Sequence, residues 1–142
     1  MDSSVSSTAS ESSASEQGLS ILIAEDVQVN QMVAVAILER LGYTADVVAN
    51  GTQAVEAFQK QPYQLILMDI CMPETDGLNA TRQIRNLTTS ETHPWIIALT
   101  AHAILGDREK CLAAGMNDYV TKPISVKTIA AAIDRYQQAI SP

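Results

Sequence analysis

The sequence is short of positive charge. Nine lysines and arginines stand against sixteen aspartates and glutamates, for a formal charge of -7. Nucleic acid and anionic membrane surfaces recruit basic faces, so this balance argues against either as the main partner. Cysteine is scarce as well. Cys71 and Cys111 are too few and too far apart to build a disulfide framework or a zinc site, which fits reduced thiols and a cytoplasmic location. No apolar run approaches the roughly 18 residues that a membrane span requires, so no membrane contact by this chain is expected. The opening stretch, MDSSVSSTASESSASEQG, lacks the basic start and apolar stretch of a signal peptide. It is Ser-rich with only acidic charges, and residues 1–18 therefore read as a disordered leader or linker. That leaves one domain over residues 19–140, long enough to bury a core.

Within that domain, short β-rich runs alternate with longer stretches of helical period. The runs are LSILIA, TADVVA, QLILM, WIIALT and NDYV. Between the first two, Val33, Ile37 and Leu41 share one helical face, with Ala34 and Leu38 beside them. Gly42 then ends the helix. The second helix stops near Pro62, a third follows Asp76 and Gly77 with Leu78, Ile84 and Leu87 spaced along it, and two more end at Gly115 and near Ala139. Three of the strands are apolar almost throughout, as parallel strands covered on both faces are. Five alternating units predict a doubly wound α/β domain of flavodoxin-like type, with a single parallel sheet in the order 2-1-3-4-5 and helices on both faces.

In such a sheet, ligands bind beyond the carboxyl ends of the strands, at the switch point between strands one and three. Glu25 and Asp26 follow strand one, and Asp69 stands directly after the apolar run Leu65 to Met68. Thr100 and Lys122 follow strands four and five. The topology thus makes three carboxylates, a hydroxyl and an ammonium neighbours. Two carboxylates at ~4 Å repel by about 4 kcal/mol at an effective dielectric near 20, and one lysine cannot neutralise three. Hard oxygen ligands in an open cleft suit Mg²⁺. An ionised Asp69 can attack phosphorus, and Thr100 and Lys122 can hold the phosphoryl oxygens.

The motifs LIAEDVQVNQ, LMDICMPETDG, IIALTA and AGMNDYVTKPI, correctly ordered and each at a strand end, resemble the receiver (CheY-like) domain of two-component response regulators. The flanking patterns are most like the receivers of hybrid histidine kinases, with Val27 standing where that pattern usually has Asn. The resemblance implies that Asp69 is the phosphorylation site and takes its phosphoryl group from a phosphohistidine. It implies that Asp26, Asp69 and the backbone carbonyl of Cys71 bind Mg²⁺, with Glu25 holding a metal-bound water. It further makes Thr100 and Tyr119 the switch pair, and a histidine kinase or histidine phosphotransfer domain the partner of a monomeric chain. The expected role is phosphorelay intermediate or conformational switch, not a conventional turnover enzyme. A cis peptide bond is expected between Lys122 and Pro123.

Plainer roles exist for each residue taken singly. Asp69 alone suits a strand end, Glu25 and Asp26 suit a helix start, Lys122 a solvated surface, Thr100 a turn and Tyr119 packing. Two further functions are compatible with the fold class. One is a degenerate receiver that only docks. The other is an aspartyl-nucleophile phosphohydrolase, which wants a second carboxylate two residues after the nucleophile, where Cys71 stands.

Overall fold

In a computed structural model the chain is described for residues 19–70, 72, 76–88, 93–101 and 105–140. The leader assigned to residues 1–18 and the expected metal ligand Cys71 lie outside the described residues. The elements follow in strict alternation: β1 (Ile21–Ala24), α1 (Gln28–Arg40), β2 (Ala45–Val48), α2 (Gly51–Lys60), β3 (Leu65–Asp69), α3 (Gly77–Leu87), β4 (Trp95–Thr100), α4 (Leu105–Ala114), β5 (Asp118–Thr121) and α5 (Val126–Ile140). The five strands form one sheet in the order β2-β1-β3-β4-β5, parallel throughout. This is the predicted 2-1-3-4-5 order.

The period of two along each strand divides the core into layers. Ile21, Ile23, Leu65, Leu67, Ile97 and Leu99 face α1 and α5, where Ala34, Ile37, Leu38, Ile129, Ala132 and Ile133 meet them. Leu22, Ala24, Ile66, Met68, Ile96 and Ala98 face the other way, onto Ala54, Phe58, Ala80, Ile84 and Cys111 of α2, α3 and α4. Both faces of β1, β3 and β4 are therefore covered, and their continuous apolar runs have no solvent side.

Local signals set the helix ends. Asn50 accepts from the Gln53 amide at 2.8 Å, and Gln53 Oε1 accepts in return from the Ala49 amide at 2.8 Å. Asp76 caps α3 through the Asn79 amide at 2.8 Å. Gly42, with φ of 94°, closes α1 as Tyr43 N–H reaches back to the Leu38 carbonyl at 2.8 Å.

Burial settles how two of the helices face the core. In α1 the buried stripe is Ala34, Ile37 and Leu38, whereas Val33 is 41% exposed. Apolar residues surround most of this helix (Val29, Met32, Val33 and Val35 besides the stripe), so periodicity alone does not orient it. Leu87, in the last turn of α3, is exposed beside Phe58 and Pro62, while Ala80, Thr81 and Ile84 carry that helix's burial.

Candidate functional site

Asp69 is the last residue of β3, in register with Leu99 of β4. Its parity with Leu65 and Leu67 turns it toward the α1 and α5 side of the sheet, where only 2% of it is exposed. Lys122 follows β5, its amide donating to the Thr100 carbonyl at 2.7 Å. The Lys122–Pro123 peptide is cis, as expected. From there the ammonium reaches Asp69 Oδ2 at 2.9 Å and Glu25 Oε1 at 3.3 Å.

Glu25 is held at every polar group. Its N–H donates to the Val48 carbonyl at 3.1 Å, and its own carbonyl accepts from Gln31 Nε2 at 2.7 Å. Its Oε2 accepts from the Val27 amide at 3.0 Å while Oε1 faces Lys122. Asp26, the next residue, is exposed and has no side-chain partner among the described residues. Carboxylate oxygens of Glu25, Asp26 and Asp69 all lie within 4.8 Å of one another, so this trio can hold a cation. At that spacing each ionised pair repels by about 3–4 kcal/mol at an effective dielectric near 20. One ammonium, touching two of the three, leaves excess negative charge at the mouth of the cleft.

The titration behaviour follows from this crowding. Burial pushes Glu25 above its ordinary 4.5, and the Asp69 charge adds to the rise against the pull of the Val27 amide and Lys122. Burial acts to lower Lys122, but the hydrogen bond and charge of Asp69, with those of Glu25, outweigh it and raise the ammonium above 10.5. Lys122 therefore stays charged throughout the neutral range.

Gly77 explains how β3 and α3 approach so closely. A Cβ at this position would overlap the Asp69 carbonyl oxygen and come within 2.7 Å of Ile70 Cα. The first residue of α3 packs directly on the backbone that carries Asp69, and only glycine fits there.

Thr100 ends β4, opposite Thr121, and is 2% exposed. By parity with Ile96 and Ala98 it belongs to the face covered by α4, against which Tyr119 also packs. Tyr119 pairs with Ala98, half-buried, and the Arg108 guanidinium of α4 sits 5.9 Å from its ring centroid. Thr100 and Tyr119 thus share one face of neighbouring strands. Beside Lys122 a cavity of about 370 Å³ opens between α1 and the β5–α5 loop, lined by Asn30, Val33, Leu99, Pro123 and Ile124.

The structure brings Glu25, Asp26, Asp69 and Lys122 together and sets Thr100 at the adjoining strand end. Sequence reasoning gave no role to Gln31, Gly77 or Arg108. Gly77 had a visible signal in the TDG turn after Asp69. The other two act through contacts that leave no local pattern.

A family model described as the response regulator receiver domain matches residues 21–134. Hybrid signal transduction histidine kinase B of Dictyostelium discoideum is 43% identical over 125 residues, covering 81% of this chain and 6% of that protein. Across the first curated relatives the chain spans between 6% and 16% of their length. Among solved structures, the receiver domain of the sensor histidine kinase PA1611 from Pseudomonas aeruginosa PAO1 is 47% identical, with a TM-score of 0.75 over 83% of this chain and 96% of that one. That receiver holds a magnesium ion coordinated in its active site cleft. The Saccharomyces cerevisiae complex of the histidine phosphotransfer protein Ypd1 with the receiver domain of Ssk1 matches at 30% identity and a TM-score of 0.78, over 83% and 88% of the chains.

Proposed function

The chain belongs to the response regulator receiver domain family, and from that premise we propose that it is a phosphoacceptor in which Asp69 takes a phosphoryl group from a phosphohistidine with Mg²⁺ beside it. The observation that carries the reading is the buried Asp69 at the switch point, 2.9 Å from Lys122 and within 4.8 Å of two further carboxylates. No bland role for Asp69 explains why an ammonium and two acids converge on it.

The donor set fits a hard cation. Three carboxylates face one ammonium, and the exposed Asp26 stands open at the cleft mouth. Asp26 and Asp69 would ligate Mg²⁺ directly, with the Cys71 carbonyl, and Glu25 through a water. Once bound, the ion would supply charge neutralisation for Asp69 and for the incoming phosphoryl oxygens.

The protein's own groups do the rest. An Asp69 carboxylate oxygen forms a bond to phosphorus as the P–N bond of the phosphohistidine breaks, leaving its electron pair on the imidazole nitrogen. Lys122 shifts from carboxylate to phosphoryl oxygen, compensating charge where Asp69 loses it. The Thr100 hydroxyl donates to another phosphoryl oxygen, and its movement toward the site frees space on the Tyr119 side. Tyr119 then leaves the Arg108 contact for an inward rotamer, and the surface of α4, β5 and α5 changes shape.

The donor must approach over α1. Val29 and Met32, each more than 60% exposed, and Val33 form an apolar outer stripe beside the cavity at Lys122. A helical histidine-bearing partner suits such a stripe, and the Ssk1 receiver in complex with Ypd1 supports a histidine phosphotransfer domain or kinase in that role. Incubating the chain with a phosphorylated histidine phosphotransfer protein tests the reading. A phosphorus NMR signal of an acyl phosphate should appear with Mg²⁺, vanish on chelation, and be lost in hydroxylamine. Phosphate that stays on the donor, with Mg²⁺ present and several donors tried, contradicts it.

A further inference from the structure

Asp26 is the exposed member of the carboxylate trio, and no described residue holds its side chain. Its direction is therefore set by the backbone that carries it. The peptide entering Asp26 begins at the Glu25 carbonyl, and that oxygen accepts from Gln31 Nε2 at 2.7 Å. On the other side, the Glu25 N–H is fixed to the Val48 carbonyl of β2 at 3.1 Å. The segment leading into Asp26 is thus clamped between β2 and α1.

Gln31 is unusually placed to do this. Its backbone N–H donates to the Val27 carbonyl at 3.0 Å, so the residue returns two hydrogen bonds to the loop it follows. Val27, at the N-cap position of α1, offers no capping side chain. The bonds from Gln31 join residues 25–27 to the helix, and the Val27 amide on Glu25 Oε2 closes that segment on itself. Mg²⁺ demands near-ideal octahedral geometry, so a small rotation of the Asp26 carboxylate is costly to the ion.

We propose that Gln31 is a positioning residue for Asp26: its side-chain amide fixes the Glu25–Asp26 peptide, aims the Asp26 carboxylate at Asp69, and so makes cation affinity depend on the placement of α1. The proposal rests on the reading of the trio as a Mg²⁺ site. Because the outer face of α1 is also the donor's approach, a partner that shifts this helix changes the cation site through the same bond.

The test is a Mg²⁺ titration of the full chain, followed by amide NMR shifts, with Gln31→Met and Gln31→Glu beside the unaltered protein. Methionine keeps the length and loses the donor. Glutamate adds a negative charge that by simple attraction would tighten Mg²⁺ binding, yet it cannot donate at neutral pH. Positioning predicts about tenfold weaker binding for both, at the lower end of the ~10–100-fold losses seen when partners of metal ligands are removed. The Mg²⁺ concentration for half-maximal phosphorylation should rise while the rate at saturating Mg²⁺ stays unchanged, a split that mere loss of stability does not produce. Wild-type affinity in Gln31→Met, or tighter binding in Gln31→Glu, overturns the proposal and leaves the site reading intact. Absence of Mg²⁺ binding by the unaltered chain instead overturns the site reading itself.

Discussion

Glu25 and Asp69 are buried carboxylates sharing one ammonium, and the Asp69 charge adds to what burial does to Glu25. The raised pKa of Glu25 means that its contribution to stability is full below the ordinary value of 4.5 and is lost as pH rises through its folded value. Metal-free protein should therefore unfold more readily near neutral pH than near pH 4.5, so far as this residue decides it. Glu25→Gln removes that slope, because the amide has no charge to confine. Chemical denaturation in chelator at the two pH values measures it, and an identical slope in the variant would assign the effect elsewhere. Lys122 contributes in the opposite range: raised above 10.5, its share of stability holds through neutrality and is lost only as strong alkali discharges the ammonium.

Thr100 and Tyr119 form the second residue-scale pair. They lie on one face of β4 and β5 without needing to touch, and Arg108 holds the tyrosine ring from α4. Thr100→Ala should still accept phosphate but leave the NMR signals of Tyr119 unmoved on phosphorylation. A full Tyr119 response in that variant would show that the ring senses phosphate by another route.

At the scale of elements, contact between β3 and α3 depends on one missing side chain. Gly77→Ala forces a methyl onto the Asp69 carbonyl, so the helix or the strand end must move. Overpacking of this kind costs about 1–3 kcal/mol, and here the displacement falls on the backbone that carries Asp69. Slower phosphorylation and a lower melting temperature are expected together. A variant of full stability and full rate would mean that the β3–α3 loop absorbs the methyl.

Arg85 has a comparable role at the opposite end of the sheet. Its guanidinium donates to the carbonyls of Gly115 and Pro94, both at 2.8 Å, and to Asn117 Oδ1 at 2.7 Å. Asn117 Oδ1 also takes the Ile96 amide at 2.8 Å, so one cation ties α3 to the starts of β4 and β5. Hydrogen bonds from a charged donor contribute about 1.5–3 kcal/mol each, and Arg85→Ala should lower stability by about 2–3 kcal/mol without abolishing phosphorylation. Thermal melts and labelling of the same sample separate the two effects.

For the molecule as a whole, the parts legible in the sequence were those written as runs and ends. Apolar strands with no alternation announced a covered parallel sheet, and the polar residue at each strand end became meaningful once the order 2-1-3-4-5 placed those ends together. Glu25, Asp26, Asp69 and Lys122 were found this way. The orientation of α1 was not legible, because Val29, Met32 and Val33 look as suited to the core as Ala34, Ile37 and Leu38. Gln31 and Arg85 were hidden for another reason: their partners are backbone carbonyls and an amide up to 32 residues away, and backbone oxygens leave no trace in residue identity. The approach of Gly77 to Asp69 was half-visible, as a glycine in a turn whose necessity only packing reveals.

The central claim is that this fold converges on one acceptor, and intact-mass analysis after treatment with a small acyl-phosphate donor and Mg²⁺ tests it most directly. The unaltered chain should gain one phosphoryl mass, lost again in hydroxylamine, while Asp69→Asn should gain none despite a native fold by circular dichroism. Equal labelling of Asp69→Asn, or an adduct that survives hydroxylamine, would place the phosphate on another residue and contradict the account.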